Sequence, residues 1–112
     1  MAENMNNSSQ ERAMYYGERL AEMIRCRTVS KKEGFEPEEF LKLRRVIAGL
    51  FPLMTEKAEL TILGDDAYLY KLKGADESRN VLMMSHHDVV EATDEWQEEP
   101  FGGVIRDGKL WG

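Results

Sequence analysis

Four consecutive apolar residues, Val81, Leu82, Met83 and Met84, lead directly into Ser85-His86-His87-Asp88. A strand with one face in water alternates apolar and polar residues, because its side chains point to opposite faces in turn. Residues 81–85 do not alternate. A strand of this kind needs cover on both faces, which is the position of a strand buried inside an α/β sandwich.

The residues ahead of it supply part of that cover. Ser8-Ser9-Gln10-Glu11 has the form of a capping box, with Ser8 as N-cap and Glu11 reaching back. Ala13, Tyr16, Leu20 and Ile24 then recur at helical spacing, which predicts a helix from about residue 9 to about residue 26, preceded by a disordered tail over residues 1–8. Pro37 suits the first turn of a second helix, with Glu38 and Glu39 at the positive end of its dipole. Phe40, Leu43, Ile47 and Leu50 form the apolar face of that helix, and Pro52 stops it.

Near residue 58 the period changes from 3.6 to 2. Leu60 and Ile62 alternate with Glu59 and Thr61, Gly64-Asp65-Asp66 is turn chemistry, and Tyr68, Tyr70 and Leu72 alternate again. This predicts an antiparallel hairpin. A polar loop from Gly74 to Asn80 precedes the buried run, and Val104 to Trp111 reads as a short hairpin around Asp107-Gly108. Two helices, a hairpin, a buried strand and a C-terminal hairpin make an α/β chain. They leave the buried strand without helices on its second face, so the chain reads as the opening portion of a larger domain.

On a strand, His86 and Asp88 share a face and His87 points the other way. The C-terminal edge of a sheet is where open α/β folds place ligand sites. An imidazole that binds a metal usually gives its second ring N–H to a carboxylate or carbonyl, so His-x-Asp can supply a ligand and its orienter together. Taken alone, these residues fit better a sheet-edge histidine and a turn aspartate, since zinc takes three or four ligands.

The following stretch, DEWQEEPFGGVIRDGKLWG over residues 94–112, reverses that preference. With SHHDVV it closely resembles the zinc-dependent exopeptidase and deacylase family that includes carboxypeptidase S, carboxypeptidase G, aminoacylase, acetylornithine deacetylase and succinyl-diaminopimelate desuccinylase. The resemblance rests on His86, Asp88, Val89, Val90, Trp96, Pro100, Phe101, Asp107, Gly108 and Gly112 in that order. TVS at 28–30, FP at 51–52 and LYKLKGAD at 69–76 extend it upstream, and that last segment, with Trp111 before the final glycine, looks most like the carboxypeptidase S branch.

The resemblance implies the N-terminal part of a three-layer α/β/α sandwich, with residues 9–112 the opening portion of a catalytic metallopeptidase domain. It implies that His86 is a ligand to one of two Zn2+ ions and that Asp88, which supports it, is catalytic. It further implies hydrolysis of a peptide or N-acyl amino acid amide bond by a metal-activated water, with a glutamate as general base. His87 falls at the family's variable middle position and takes no ligand role. Glu91 stands where the family usually has proline. The bridging aspartate, the general-base glutamate and the other ligands would lie beyond Gly112, so these residues alone are expected to be inactive and to bind zinc weakly if at all. The alternative is a catalytically silent module of the same scaffold that acts by self-association or through a partner chain.

Other features bear on partners and on rival sites. The formal net charge of -6 is spread along the chain, which argues against nucleic acid and anionic membrane. No apolar stretch approaches the ~20 residues of a membrane span. MAENMNNSSQ has neither the basic nor the apolar region of a secretory signal, which makes a cytoplasmic location the expectation. Cys26, flanked by Arg25 and Arg27, reads as a small buried residue before it reads as an activated thiol. Ser85 faces away from its neighbouring histidine, Gly102-Gly103 lacks the rest of a phosphate loop, and the acidic loop 91–99 reads as a solvated face.

Overall fold

The computed structural model describes the backbone of residues 2–112 and the side chains of residues 8–112. Helix α1 spans Ala2–Ile24, α2 spans Pro37–Leu50 and α3 spans Pro52–Lys57. Strands β1 (Glu59–Leu63) and β2 (Ala67–Lys71) form one antiparallel pair, and β3 (Val104–Arg106) and β4 (Lys109–Trp111) form another. The two pairs are separate sheets. The architecture is mixed α/β, but the described residues do not contain the layered sandwich.

The helix α1 begins well ahead of the expected cap at Ser8. No glycine or proline interrupts residues 2–16, and Ala2, Glu3, Met5, Gln10 and Glu11 are good helix formers. The helix therefore runs through residues 2–8, where a tail was expected; Met1 lies outside the described residues. The face that packs also differs from the expected stripe. Tyr16 and Leu20 are exposed, whereas Ala21 is buried to 1% and Gly17 and Ile24 are half-buried. Residues 17, 21 and 24 are one helical face, and its small members let the C-terminal hairpin approach the helix backbone.

Helix α2 has the expected bounds. Pro37 opens it, Phe40 and Leu43 are its buried residues, and the Phe51 N–H bonds to the Ile47 carbonyl at its end. Pro52 ends α2 and also opens α3, because proline is well placed at a first helical position. In the short α3 the Thr55 hydroxyl donates back to the carbonyl of the N-cap residue Phe51 at 2.9 Å, and the Ala58 N–H closes the helix on the Met54 carbonyl at 2.9 Å. The buried core consists of Ala21, Cys26, Thr28, Val29, Phe40 and Leu43, at the junction of α1, the segment after it, and α2.

Both hairpins form in the expected places. Leu63 pairs with Ala67 across Gly64-Asp65-Asp66, and Arg106 pairs with Lys109 across Asp107-Gly108. Asp107 and Gly108 both have positive φ (54° and 68°), the requirement of a two-residue type I′ turn. The tyrosine hydroxyl of Tyr68 donates to the Phe40 carbonyl at 3.1 Å and ties β2 to α2. Arg25 ties the C-terminal hairpin to α1: its Nε donates to the Gly102 carbonyl at 3.0 Å and its terminal nitrogen to that of Gly103 at 3.2 Å.

Residues 81–85, expected as a doubly covered strand, form no strand. Among the described residues their backbone groups have no hydrogen-bond partner. Val81 and Met83 are each 90% exposed. The cause is the one visible in the element count: among the described residues no flanking strand lies beside them and no helix layer covers them. The radius of gyration, 17.1 Å, exceeds the ~13 Å of a compact domain of about this size, as an open arrangement should.

A test of the hairpin docking follows from Gly103. Its φ is 57°, and a Cβ there would meet the Ala21 carbonyl oxygen at 2.6 Å. Gly103→Ala is expected to cost roughly 2–4 kcal/mol, from αL strain plus overpacking. At Gly108, where φ is 68° and the space is open, alanine should cost only about 1 kcal/mol. Urea unfolding of both variants checks this, and equal losses would contradict the close approach of hairpin and helix.

Candidate functional site

The segment after α1 sets the position of the histidines. Val29 makes a parallel bridge with Val89: the Ser30 N–H donates to the Val89 carbonyl at 2.8 Å and the Val89 N–H donates to the Thr28 carbonyl at 2.9 Å. Thr28, buried to 4%, adds its hydroxyl to the His87 carbonyl at 2.6 Å. Ser30 adds its hydroxyl to Asp88 Oδ2 at 2.7 Å. Four hydrogen bonds thus fasten Thr28-Val29-Ser30 along His87-Asp88-Val89.

Held this way, successive side chains turn to opposite sides. His87 turns inward, stacked on the Tyr68 ring (centroids 5.0 Å, planes 21° apart) and edge-on to Phe40 at 5.9 Å. His86 and Asp88 turn outward, with side chains 84% and 49% exposed. His86 Nδ1 lies 2.9 Å from the Asp88 carbonyl and 3.2 Å from Asp88 Oδ1. A carbonyl and a carboxylate only accept, so the contact places the proton on Nδ1. In the neutral imidazole Nε2 then carries the free lone pair, and it has no partner among the described residues.

The Asp88 carboxyl is held below its ordinary range, first by the Ser30 hydroxyl, against a smaller opposing desolvation, with His86 adding a lesser lowering. It is ionised at neutral pH, as an orienting carboxylate must be. An imidazole with its second nitrogen on a carboxylate fits one position in a zinc shell. Among the described residues no three His, Cys, Asp or Glu side chains gather into a metal cluster. Among the described residues, His86 therefore presents one free ring nitrogen, with Asp88 holding the other side of the ring.

The structure brings His86 and Asp88 together and separates His87 from them, but not at the edge of a sheet. They follow an unpaired run and are fixed from the side by residues 28–30. Thr28 and Ser30 carry no strong signal of their own in the sequence, where TVS stands out only through the family resemblance. The available signal was two hydroxyl residues flanking a β-branched one, a pattern that can pair as backbone and donate from its side chains.

The rival sites do not gain from the structure. Cys26 is buried, its thiol contacts the Glu22 carbonyl at 3.8 Å, and burial pushes its pKa up more than Lys42 pulls it down. The flanking guanidiniums are engaged elsewhere, Arg25 on Gly102 and Gly103 and Arg27 over the Phe101 ring at 4.8 Å. Ser85 is exposed, and Gly102 closes a turn on Glu99. In the acidic loop Glu91 pairs with Lys31 at 3.7 Å, and the cleft of about 500 Å³ between Arg27, Trp96 and Phe101 is lined by Asp94, Glu98 and Glu99.

Over 103 residues, 85% of this chain, the sequence is 35% identical to Probable carboxypeptidase S-like 2 of Dictyostelium discoideum, of which it covers 20%. It is 32% identical over 113 residues to the N-fatty-acyl-amino acid synthase/hydrolase PM20D1 of Bos taurus, covering 93% of this chain and 22% of that protein. Probable carboxypeptidase S-like 1 of Dictyostelium discoideum is 28% identical over 96 residues, 81% of this chain and 20% of that protein. The chain spans about a fifth of the length of these curated relatives. No family model and no solved structure matches.

The bridge makes a prediction about exchange. The amides of Ser30 and Val89 should be protected while those of residues 81–84 exchange near the free rate in dilute solution. Thr28→Val, which removes the hydroxyl bond at constant shape, should lower protection at Val89 about tenfold, the weight of one or two ordinary hydrogen bonds. Protected amides at 81–84, or unprotected ones at 30 and 89, would contradict the structure.

Proposed function

Since the chain is homologous over most of its length to the carboxypeptidase S-like proteins and to PM20D1, we propose that it supplies the His86 ligand and the Asp88 orienter of a zinc-dependent amide hydrolase. The proposed reaction is cleavage of a peptide or N-acyl amino acid; PM20D1 is named for N-fatty-acyl-amino acids and the Dictyostelium discoideum relatives as carboxypeptidase-like. The observation that carries this reading is the His86 Nδ1 contact with Asp88, which leaves Nε2 free on the exposed side. Zinc in such a site supplies a water made nucleophilic at neutral pH. This chain's residues orient the imidazole, place the proton of the neutral ring on Nδ1 and hold the supporting carboxylate ionised.

The test is a chimera in which this chain replaces the matched segment of the Dictyostelium discoideum carboxypeptidase S-like 2. His86→Ala should remove zinc from one position and abolish turnover of N-acyl amino acids. His87→Ala should keep the zinc and most of the rate, because its ring faces Tyr68 and Phe40. Asp88→Asn should lose ~10–100-fold in metal affinity or activity. Full zinc content and rate in His86→Ala, or equal losses at His86 and His87, would contradict the assignment.

The exposed run Val81 to Met84 supports a second reading, self-association of the 112-residue chain without catalysis. An uncovered apolar segment with free backbone groups is a template for pairing with another chain. Sedimentation velocity should then show a concentration-dependent dimer that Met83→Lys weakens. A monomer at every concentration would remove this reading.

A further inference from the structure

We propose that Ser30 is the positioning residue of the His86–Asp88 pair: its hydroxyl, donated to Asp88 Oδ2 at 2.7 Å, orients the carboxylate so that Oδ1 faces His86 Nδ1 at 3.2 Å. This deepens the functional reading above, and rests on it only for the use to which Nε2 is put. The geometry stands without it.

The hydroxyl can do this because its own backbone is fixed. The Ser30 N–H is bonded to the Val89 carbonyl, and Thr28, two residues back, is bonded twice to the same partner segment. Asp88 by contrast is half exposed and carries a carboxylate that rotates about two bonds. With Oδ2 held from the α1 side, Oδ1 is left as the acceptor for the imidazole. Lys31 pairs with Glu91 at 3.7 Å, and among the described residues the side-chain partners of the Asp88 carboxylate are Ser30 and His86. The Asp88 carbonyl, 2.9 Å from Nδ1, stays in place when the hydroxyl is removed. The effect of removing it is therefore partial.

The tautomer of His86 reads this directly. Imidazole 15N NMR of the 112-residue chain at neutral pH should show His86 chiefly protonated on Nδ1. In Ser30→Ala the ratio should move toward the Nε2-protonated form roughly fivefold, the weight of one ordinary hydrogen bond. Ser30→Thr, which keeps the hydroxyl, should restore the parent ratio. A parent chain protonated chiefly on Nε2 would overturn the proposal. So would a parental ratio in Ser30→Ala, or an altered one in Ser30→Thr with the amide spectrum intact. Loss of the Val29–Val89 bridge in Ser30→Ala would overturn it too, because Ser30 would then be holding the fold and not the carboxylate. Failure of the chimera to bind zinc, with these tautomer results obtained, would remove the functional reading and leave the role of Ser30 standing.

Discussion

The parallel bridge between Val29 and Val89 joins two segments of the chain sixty residues apart, and the candidate site is built on that junction. On one side lies Cys26 to Ser30, which leaves α1 through the small buried core. On the other lies His86 to Val89, which follows a run with no structure of its own to hold it. Two backbone bonds set the direction of the second segment, and the Thr28 and Ser30 hydroxyls set its rotation. Each such bond contributes about 1 kcal/mol net. The arrangement is thus fixed by several modest contacts acting together and not by one strong one.

The two histidines show how one backbone direction gives two chemistries. Inward, His87 completes an aromatic group with Tyr68 and Phe40 and links the first hairpin to α2. Outward, His86 meets only acceptors on its Nδ1. The inner ring helps keep the segment where the outer one is useful. A metal ligand needs this kind of support, since an imidazole free to rotate would lose part of its binding free energy in being ordered.

Local signals in the sequence were sufficient where the deciding interactions were local. Pro37 and the Phe40–Leu43 face placed α2, and Asp107-Gly108 placed the second hairpin through its positive φ values. The opposite facing of His86 and His87 follows from the period of an extended chain. Local signals were insufficient where a neighbour decides. The packing face of α1 is the one with Gly17 and Ala21, because a hairpin backbone lies against it, and an apolar stripe through Tyr16 and Leu20 cannot reveal that. Residues 81–85 carry the composition of a buried strand, yet strand pairing is a property of partners, and among the described residues none lies beside them. Ser30 was hidden for the same reason, its role being set by a residue fifty-eight positions away.

The account depends most on the pairing of residues 28–30 with residues 87–89. Scalar couplings across hydrogen bonds, measured on the 15N,13C-labelled chain, observe that pairing without reference to any activity. The account predicts a coupling from the Ser30 nitrogen to the Val89 carbonyl carbon and another from the Val89 nitrogen to the Thr28 carbonyl carbon. A dispersed, folded spectrum in which both couplings are absent would contradict it.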